Sequence, residues 1–435
     1  MDSIWSKTTA RPQFAALTGD VKTDVLIIGG GITGILCAYM LHRAGVDCVL
    51  AEADRICGGI TQNTTAKITF QHGLIYDKMT RRFGHDAAQM YLGAQRAAME
   101  LYRKLGQTVA CDYEEVDSYV YSLNDRRKIE REVAALNAIG ADADFTDCPT
   151  LPFSVAGAVR VPKQAQFHPL KLLFALAWEL PVFEHTKILE LRPDGAITER
   201  GKIVADAIIV TTHFPFLNKH GSYFLKMYQH RSYVLALENA PNVRGMYVDE
   251  SDKGLSFRNY KGLLLLGGGG HRTGKKGGNF QELSCCAKLY YPKAKEIYRW
   301  ATQDCMTLDG LPYIGQYSAR TQNLYVATGF NKWGMTSAMV AATILSDLVR
   351  GKICDYASVF SPSRSILRPQ LAINAAEALI HLVTPVGPRC PHMGCALKYN
   401  SQEHSWDCPC HGSRFTEKGE LLDNPAEGGW GASRH

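Results

Sequence analysis

The stretch that most narrows the fold lies near the N-terminus. Residues 24–28, Asp-Val-Leu-Ile-Ile, form a short apolar run that ends at Gly29-Gly30-Gly31-Ile32-Thr33-Gly34. Residues 32–44 then carry apolar side chains at helical spacing (Ile35, Leu36, Tyr39, Met40) and stop at Ala44-Gly45, and residues 46–52 read as a second buried strand. The pattern predicts a strand–helix–strand unit of about 30 residues with G-x-G-x-x-G at its first turn. Gly29 allows the tight turn, Gly31 lets the backbone approach a pyrophosphate, and Gly34 lets the helix sit close on the strand. The N–H groups that open the helix then meet that anion. Glu52, closing the second strand, can accept hydrogen bonds from both hydroxyls of a ribose. An acid there points to FAD or NAD rather than a 2′-phosphorylated nucleotide.

Beyond this unit the chain alternates helical and strand patterns, then turns β-rich, then returns to a strand and a helix. Helical spacing runs over 74–105 up to Gly106, over 126–140 and over 166–180. Strand patterns cover 184–211, with a turn at Arg192–Gly195, and dominate 230–270. Residues 324–328 form a strand and 334–350 a helix ending at Gly351. The late return to strand and helix predicts a nucleotide-binding domain assembled from separated segments. A length of 435 residues, 46% hydrophobic and 21% charged, suits two or three packed domains without long disorder. The net charge of +6 is too dilute for nucleic-acid binding, and the pairs Arg81-Arg82 and Lys275-Lys276 read as solvated surface. No run of 18 apolar residues suggests a membrane span, and the N-terminus does not resemble a secretory signal, so the expected compartment is the cytoplasm.

Two further motifs choose between the nucleotides. Gly58-Gly59-Ile60-Thr61-Gln62-Asn63-Thr64-Thr65-Ala66-Lys67-Ile68 follows the second strand closely. Asp309–Gly315 leads into Val326-Ala327-Thr328-Gly329-Phe330-Asn331-Lys332-Trp333-Gly334-Met335-Thr336 at a strand-to-helix junction. Over about residues 22–352, with these motifs in order, the chain resembles the D-amino acid oxidase-like family of flavoproteins. The resemblance implies that Gly29, Gly31, Gly34 and Glu52 hold the ADP half of FAD, that Ile188 offers backbone contacts to adenine, and that Thr61 and Thr64 line the flavin end. It also implies that Gly329, Phe330, Gly334, Met335 and Thr336 bring a second helix start to the flavin, where negative charge develops on reduction. Ile60 and Gln62 depart from the small residues usual in this pattern. Lys67 and His72, just past the flavin segment, are the candidate catalytic residues. Arg231, Tyr233, His271 and Arg272 fall in the β-rich half that forms substrate pockets in this family, where an arginine could clamp a carboxylate.

The C-terminal 50 residues pose a separate problem. Of 13 cysteines, four (Cys390, Cys395, Cys408 and Cys410) crowd together with His392 and His411, whereas Cys37, Cys48 and Cys354 sit in apolar patterns as small hydrophobes. Cys390-x-His392 and Cys408-x-x-His411 offer two thiolates for one iron and two imidazoles for another. Zinc would also accept two Cys and two His, but it gives no reason for Cys395 and Cys410. The run resembles the Rieske proteins of quinol-oxidising complexes. That resemblance implies Cys390, His392, Cys408 and His411 as ligands of a [2Fe–2S] cluster, a Cys395–Cys410 disulfide bracing the two loops, and Ser413 hydrogen-bonded to a bridging sulfur. Only Val386–Arg389 separate Pro385 from Cys390, and no strand is clear in 424–435, so so small a module is expected to lean on the flavoprotein or on a partner chain.

The expected architecture is α/β: a Rossmann-like FAD-binding domain (about 22–75, 150–215 and 305–352) interleaved with a β-rich substrate domain (about 76–149 and 216–304), all within 1–360. A connector at 361–384 and a truncated all-β Rieske module at 385–435 complete it. The expected activity is a dehydrogenase in which an amine or amino acid gives hydride to FAD and electrons leave singly through the cluster to an external acceptor. Two alternatives are a non-catalytic electron carrier or redox sensor, and a reductase in which the cluster feeds FAD. The chain could also form oligomers.

Overall fold

The predicted strand–helix–strand unit is the centre of a mostly parallel sheet. In the computed structural model, which describes residues 2–148, 150–217 and 220–430, the strand Val21–Ile28 lies between Cys48–Ala51 and Lys202–Val210, parallel to both. Leu324–Thr328 extends the sheet beyond Lys202–Val210, and Val182–Phe183 extends the other side. Strands from three distant segments therefore build one sheet, as the interrupted pattern predicts. Leu26 and Ile27 point to opposite faces and both are fully buried, because helices and loops cover the sheet on each side. The helices Ile32–Arg43 and Gly334–Val349 pack on each other across one face.

The β-rich half is a nine-stranded sheet. Its edge ladder joins Lys295–Thr307 to Met227–Glu238, which in turn pairs with Leu263–Arg272. Two boundaries differ from the sequence reading. The strand Gly157–Gln166, placed above with the FAD segments, pairs with Glu114–Ser122 in this second sheet; its apolar residues satisfy either domain, and only pairing decides. The helical stretch 74–105 is two helices, Tyr76–Phe83 and His85–Thr108, broken where Gly84 adopts φ +89°. Gly106 does not end the second helix but lies inside it, where a Cβ would strike the ring of Tyr113 at 2.8 Å.

The tail holds four strands of three residues each: Lys398–Asn400, Ser405–Asp407, Arg414–Thr416 and Leu421–Asp423. They form an antiparallel meander, and residues 431–435 lie outside the described residues. Its apolar core is small: Leu397, Phe415 and Ala426 around four cysteines. As expected for such a core, the module leans on the flavoprotein. Gln229 donates to the carbonyls of His411 (2.9 Å) and Asn424 (2.8 Å), Gln303 to that of Gly412 (2.9 Å), and Arg272 to those of Pro409 and Cys410 (both 3.2 Å). A Cβ at Gly412 would lie 2.5 Å from Gln229, so the loop sits flush on the sheet.

A buried ionic network seals this junction. Glu403 of the module accepts from Arg231 and Tyr233 of the flavoprotein and from Arg414 of its own sheet, and Arg414 also reaches Asp407 and Asp423 at 3.0 Å each. Removing Glu403 leaves two buried guanidinium groups short of a partner. Glu403→Ala is therefore expected to destabilise the docked module by about 3–5 kcal/mol, read as a lowered unfolding transition of the tail and a lower iron-to-protein ratio, whereas Glu403→Gln loses less because it keeps an acceptor.

Candidate functional site

A cavity of about 740 Å³ runs along the carboxyl ends of the parallel strands and under the second sheet. That position is where open α/β sheets bind ligands, and the volume is within the ordinary range for a cofactor or ligand site. At one end Gly29, Gly31, Glu52 and Ile188 line it. Gly29 takes φ +105°. Gly34 stays behind the wall as a packing glycine, since a Cβ there would fall 1.9 Å from the carbonyl of Gly29. Each oxygen of Glu52 accepts a backbone N–H, from Gly30 at 2.6 Å and from Asp54 at 2.9 Å, which fixes the carboxylate and leaves lone pairs on both oxygens.

The cavity is also lined by Thr61, Thr64 and Lys67, and by Gly329, Phe330, Gly334 and Met335 around the start of the helix Gly334–Val349. Thr61 does double duty: its hydroxyl accepts from the N–H of Ile32 at 3.0 Å, capping the first helix. Lys67 is buried, with Nζ donating to Thr65 at 3.1 Å; burial, with help from Arg258, pushes its ammonium down to about 7. His72 does not face the cavity. Its ring stacks on Trp333 and both nitrogens are used inside the protein, Nδ1 with Tyr91 at 2.6 Å and Nε2 with the Thr69 carbonyl and Thr336 at 2.8 and 3.0 Å. Burial pushes it down to about 3, so it is neutral. It braces the helix start through Thr336, whose hydroxyl is likewise turned inward; a residue just after the flavin segment can face either way, and here packing wins.

The four residues considered for a substrate carboxylate have another use. Arg231, Tyr233, His271 and Arg272 lie at the junction with the tail: Arg231 and Tyr233 hold Glu403, Arg272 holds Pro409 and Cys410, and His271 pairs with Tyr233 at 3.1 Å; of the four, Tyr233 also lines the cavity. Strand alternation explains the reversal. On the paired strands Met227–Glu238 and Lys295–Thr307, Gln229, Arg231 and Gln303 bond the tail, while Ser232, Thr302 and Asp304 line the cavity. Of the arginines, the cavity lining includes Arg55, already paired with Glu184 at 2.9 Å. The sheet side presents Asp249, Asp252 and Asp304 with Lys332 instead. Burial pushes Asp304 up to about 6 against the pull of Lys332 and Arg231.

In the tail, the rings of His392 and His411 sit 4.9 Å apart and edge-on, and burial keeps both neutral, lowering them to about 4 and about 3. All four cysteines are buried. The sulfurs of Cys395, Cys408 and Cys410 lie within 4.8 Å of one another. The buried Ser413 hydroxyl accepts from the N–H of Ala426 at 3.0 Å.

Residues 24–348 match the model of the FAD dependent oxidoreductase family, and residues 377–430 match that of the Rieske [2Fe-2S] domain. The chain belongs to both families. A Bacillus subtilis (strain 168) protein described as a Rieske 2Fe-2S iron-sulfur protein, YhfW, is 36% identical over 98% of this chain and 96% of its own. Gamma-glutamylputrescine oxidoreductase of Escherichia coli (strain K12) is 24% identical over 78% of this chain and 86% of its own. Among solved structures, glycine oxidase from Geobacillus kaustophilus superposes with a TM-score of 0.67 at 18% identity, covering 79% of this chain and 99% of that one.

This FAD-dependent oxidoreductase thus carries FAD and a [2Fe–2S] cluster, and its residues suit both. The cavity has a backbone cradle at Gly29–Gly31 and a second helix start at Gly334. The buried Nδ1 of His411 has no protein partner, as a metal-ligating nitrogen requires. No helix among the described residues is long and apolar enough to cross a membrane. No motif marks Asp304, Lys332 or the tail segment Leu421–Glu427 that helps line the cavity; for His213 the available signal is its place just after the apolar strand Lys202–Val210. Because folding lowers the Lys67 ammonium from 10.5 to about 7, the unfolded chain binds more protons between those values and stability rises with pH there. Lys67→Met is expected to flatten that rise in urea titrations between pH 7 and 10.5, while wild type shows it.

Proposed function

We propose that the enzyme is a dehydrogenase that oxidises a small amine and passes the electrons singly through the cluster to an external acceptor. The observation that carries this is the shared wall: the cavity with the dinucleotide cradle is also lined by Leu421–Glu427 of the iron–sulfur module. A bound FAD supplies two-electron acceptance, and the cluster supplies one-electron exchange.

The residues then divide as follows. Gly29, Gly31 and Glu52 hold the ADP half, with Gly34 permitting the close helix and Ile188 beside the adenine. Thr61, Thr64, Gly329, Phe330, Gly334 and Met335 hold the flavin half, and Thr336 steadies the helix start from behind. Lys67 carries a proton or positive charge near the flavin at neutral pH. Cys390, His392, Cys408 and His411 ligate the cluster, with Cys395 and Cys410 bracing the loops. Substrate sits under the strands that carry Ser232, Thr302 and Asp304. Among the described residues that side offers Asp249, Asp252 and Asp304 beside Lys332, and no arginine, which favours a cationic amine over a substrate anchored by its own carboxylate. The relative named for gamma-glutamylputrescine points to the same class.

Anaerobic mixing of the iron-replete holoenzyme with amines and with α-amino acids tests the reading. Amines are expected to bleach the flavin band within seconds and then bleach the cluster, and Asp304→Asn to raise KM for amines at least about tenfold, the order of a lost charge-assisted contact. If no amine bleaches the flavin while amino acids do, the substrate assignment is wrong. If neither class does, the chain is an electron carrier.

A further inference from the structure

One two-residue step of backbone connects the cavity to the imidazole edge of the cluster site. His213 lines the cavity. Its neighbour Phe214 is fully buried, and its ring stands edge-on to both His392 and His411, with centroids 6.4 Å from each. Phe224 covers His411 from another side at 6.2 Å. The imidazole edge of the cluster site is therefore turned toward the flavoprotein.

The loop that makes this step is held unusually firmly. His213 has φ +64°, a conformation that side chains other than glycine rarely adopt and that persists only when its surroundings enforce it. Its carbonyl accepts from Cys305 at 3.6 Å and from Thr328. The carbonyls on either side, of Thr212 and Phe214, both accept from the side-chain amide of Asn424 in the module, at 2.6 and 3.1 Å. The carbonyl of Asn424 in turn accepts from Gln229. The Nε2 of His213 is buried without a protein partner, as a group awaiting a ligand in the cavity would be.

We propose that His213-Phe214 is the electron bridge between the FAD cavity and the cluster, with Phe214 the conducting side chain and Asn424 a positioning residue that sets its distance to the histidines. This rests on the reading that both centres share one reaction. Each passage moves one electron: the oxidised cluster gains it, one ferric iron becomes ferrous, and no bond forms or breaks. A second passage follows once the external one-electron acceptor has reoxidised the cluster, so the two electrons from one substrate leave as two single transfers. A packed aromatic ring keeps the path in van der Waals contact; a shorter side chain opens a gap across which coupling falls steeply.

The test uses the full-length holoprotein and needs no substrate. Flash photoreduction with 5-deazariboflavin and EDTA loads electrons, and the internal rate of flavin reoxidation with cluster bleaching is followed at two wavelengths. Phe214→Leu is expected to slow that rate by an order of magnitude or more, with unchanged flavin content, cluster EPR g-values and midpoint potentials. Phe214→Tyr restores it. Asn424→Ala slows it and shifts no potential. An unchanged rate in Phe214→Leu overturns the proposal. So does a Phe214→Tyr protein that keeps both centres yet is as slow as Leu. Should Phe214→Leu lose its cluster, the Tyr and Asn424→Ala proteins decide alone. Wild-type protein holding both centres with no transfer between them would instead sink the shared-reaction reading.

Discussion

The arrangement depends on backbone carbonyls of one small module being held by side chains of another domain's sheet. Gln229, Gln303 and Arg272 capture the carbonyls of Pro409, Cys410, His411, Gly412 and Asn424. Four of those carbonyls, from Pro409 to Gly412, belong to the loop that carries Cys408 and His411. With strands of three residues and an apolar core of a few side chains, the module cannot set its own orientation by burial. The Arg231–Glu403–Arg414 network adds direction more than energy: burying such charges costs nearly what their attraction returns, yet planar guanidinium groups accept only one approach. The result is that the histidine edge faces inward, toward Phe214 and Phe224, instead of toward water.

Strand alternation lets a single ladder serve both centres. Gln229, Arg231 and Gln303 on the paired strands bind the module, Ser232, Thr302 and Asp304 between them line the cavity, and Tyr233 does both. The two sites are thereby separated by one sheet yet meet around its edge, where Thr211–Phe214 and Leu421–Glu427 come together. A one-residue slip in this pairing would exchange the two surfaces. The unbroken run of register from Met227 to Ala236 therefore matters for the placement of both surfaces as well as for folding.

What could be read from the sequence was what is local in it. The glycines before the first helix, Glu52 at a fixed distance, and the Cys and His spacings of the tail each encode their chemistry within a few residues. Arg231, Tyr233, His271 and Arg272 could not be placed that way. They lie in the right sheet, but which face they occupy depends on register, and what covers that face depends on a segment 130 residues or more away. His72 failed for a related reason: a neutral, doubly bonded histidine and a cavity-facing one have the same local sequence. The break at Gly84 was hidden because apolar spacing continues across it. His213 and Phe214 carry no motif, and the two histidine rings that stand against Phe214 come from the distant tail.

The connector shows how far the docking constraint reaches. The helix Pro369–Val383 reads as an apolar stretch, yet its buried residues are Asn374 and His381, while Leu379 and Val383 are 64% and 69% exposed. By burial of apolar surface alone, at roughly 25 cal/mol per Å², the helix should be turned the other way. It is held as it is because its polar side meets the junction: Asn374 accepts from Arg272 at 3.0 Å, Glu377 pairs with Lys275 at 2.6 Å, and the Cys410 thiol approaches the Glu377 carbonyl at 4.0 Å. Arg272 thus joins the connector, the cysteine loop and the substrate sheet in one guanidinium. A helix that packed its leucines inward would leave that arginine without Asn374 and Lys275 without Glu377, and the loop carrying Cys408 and His411 would lose one of its two walls.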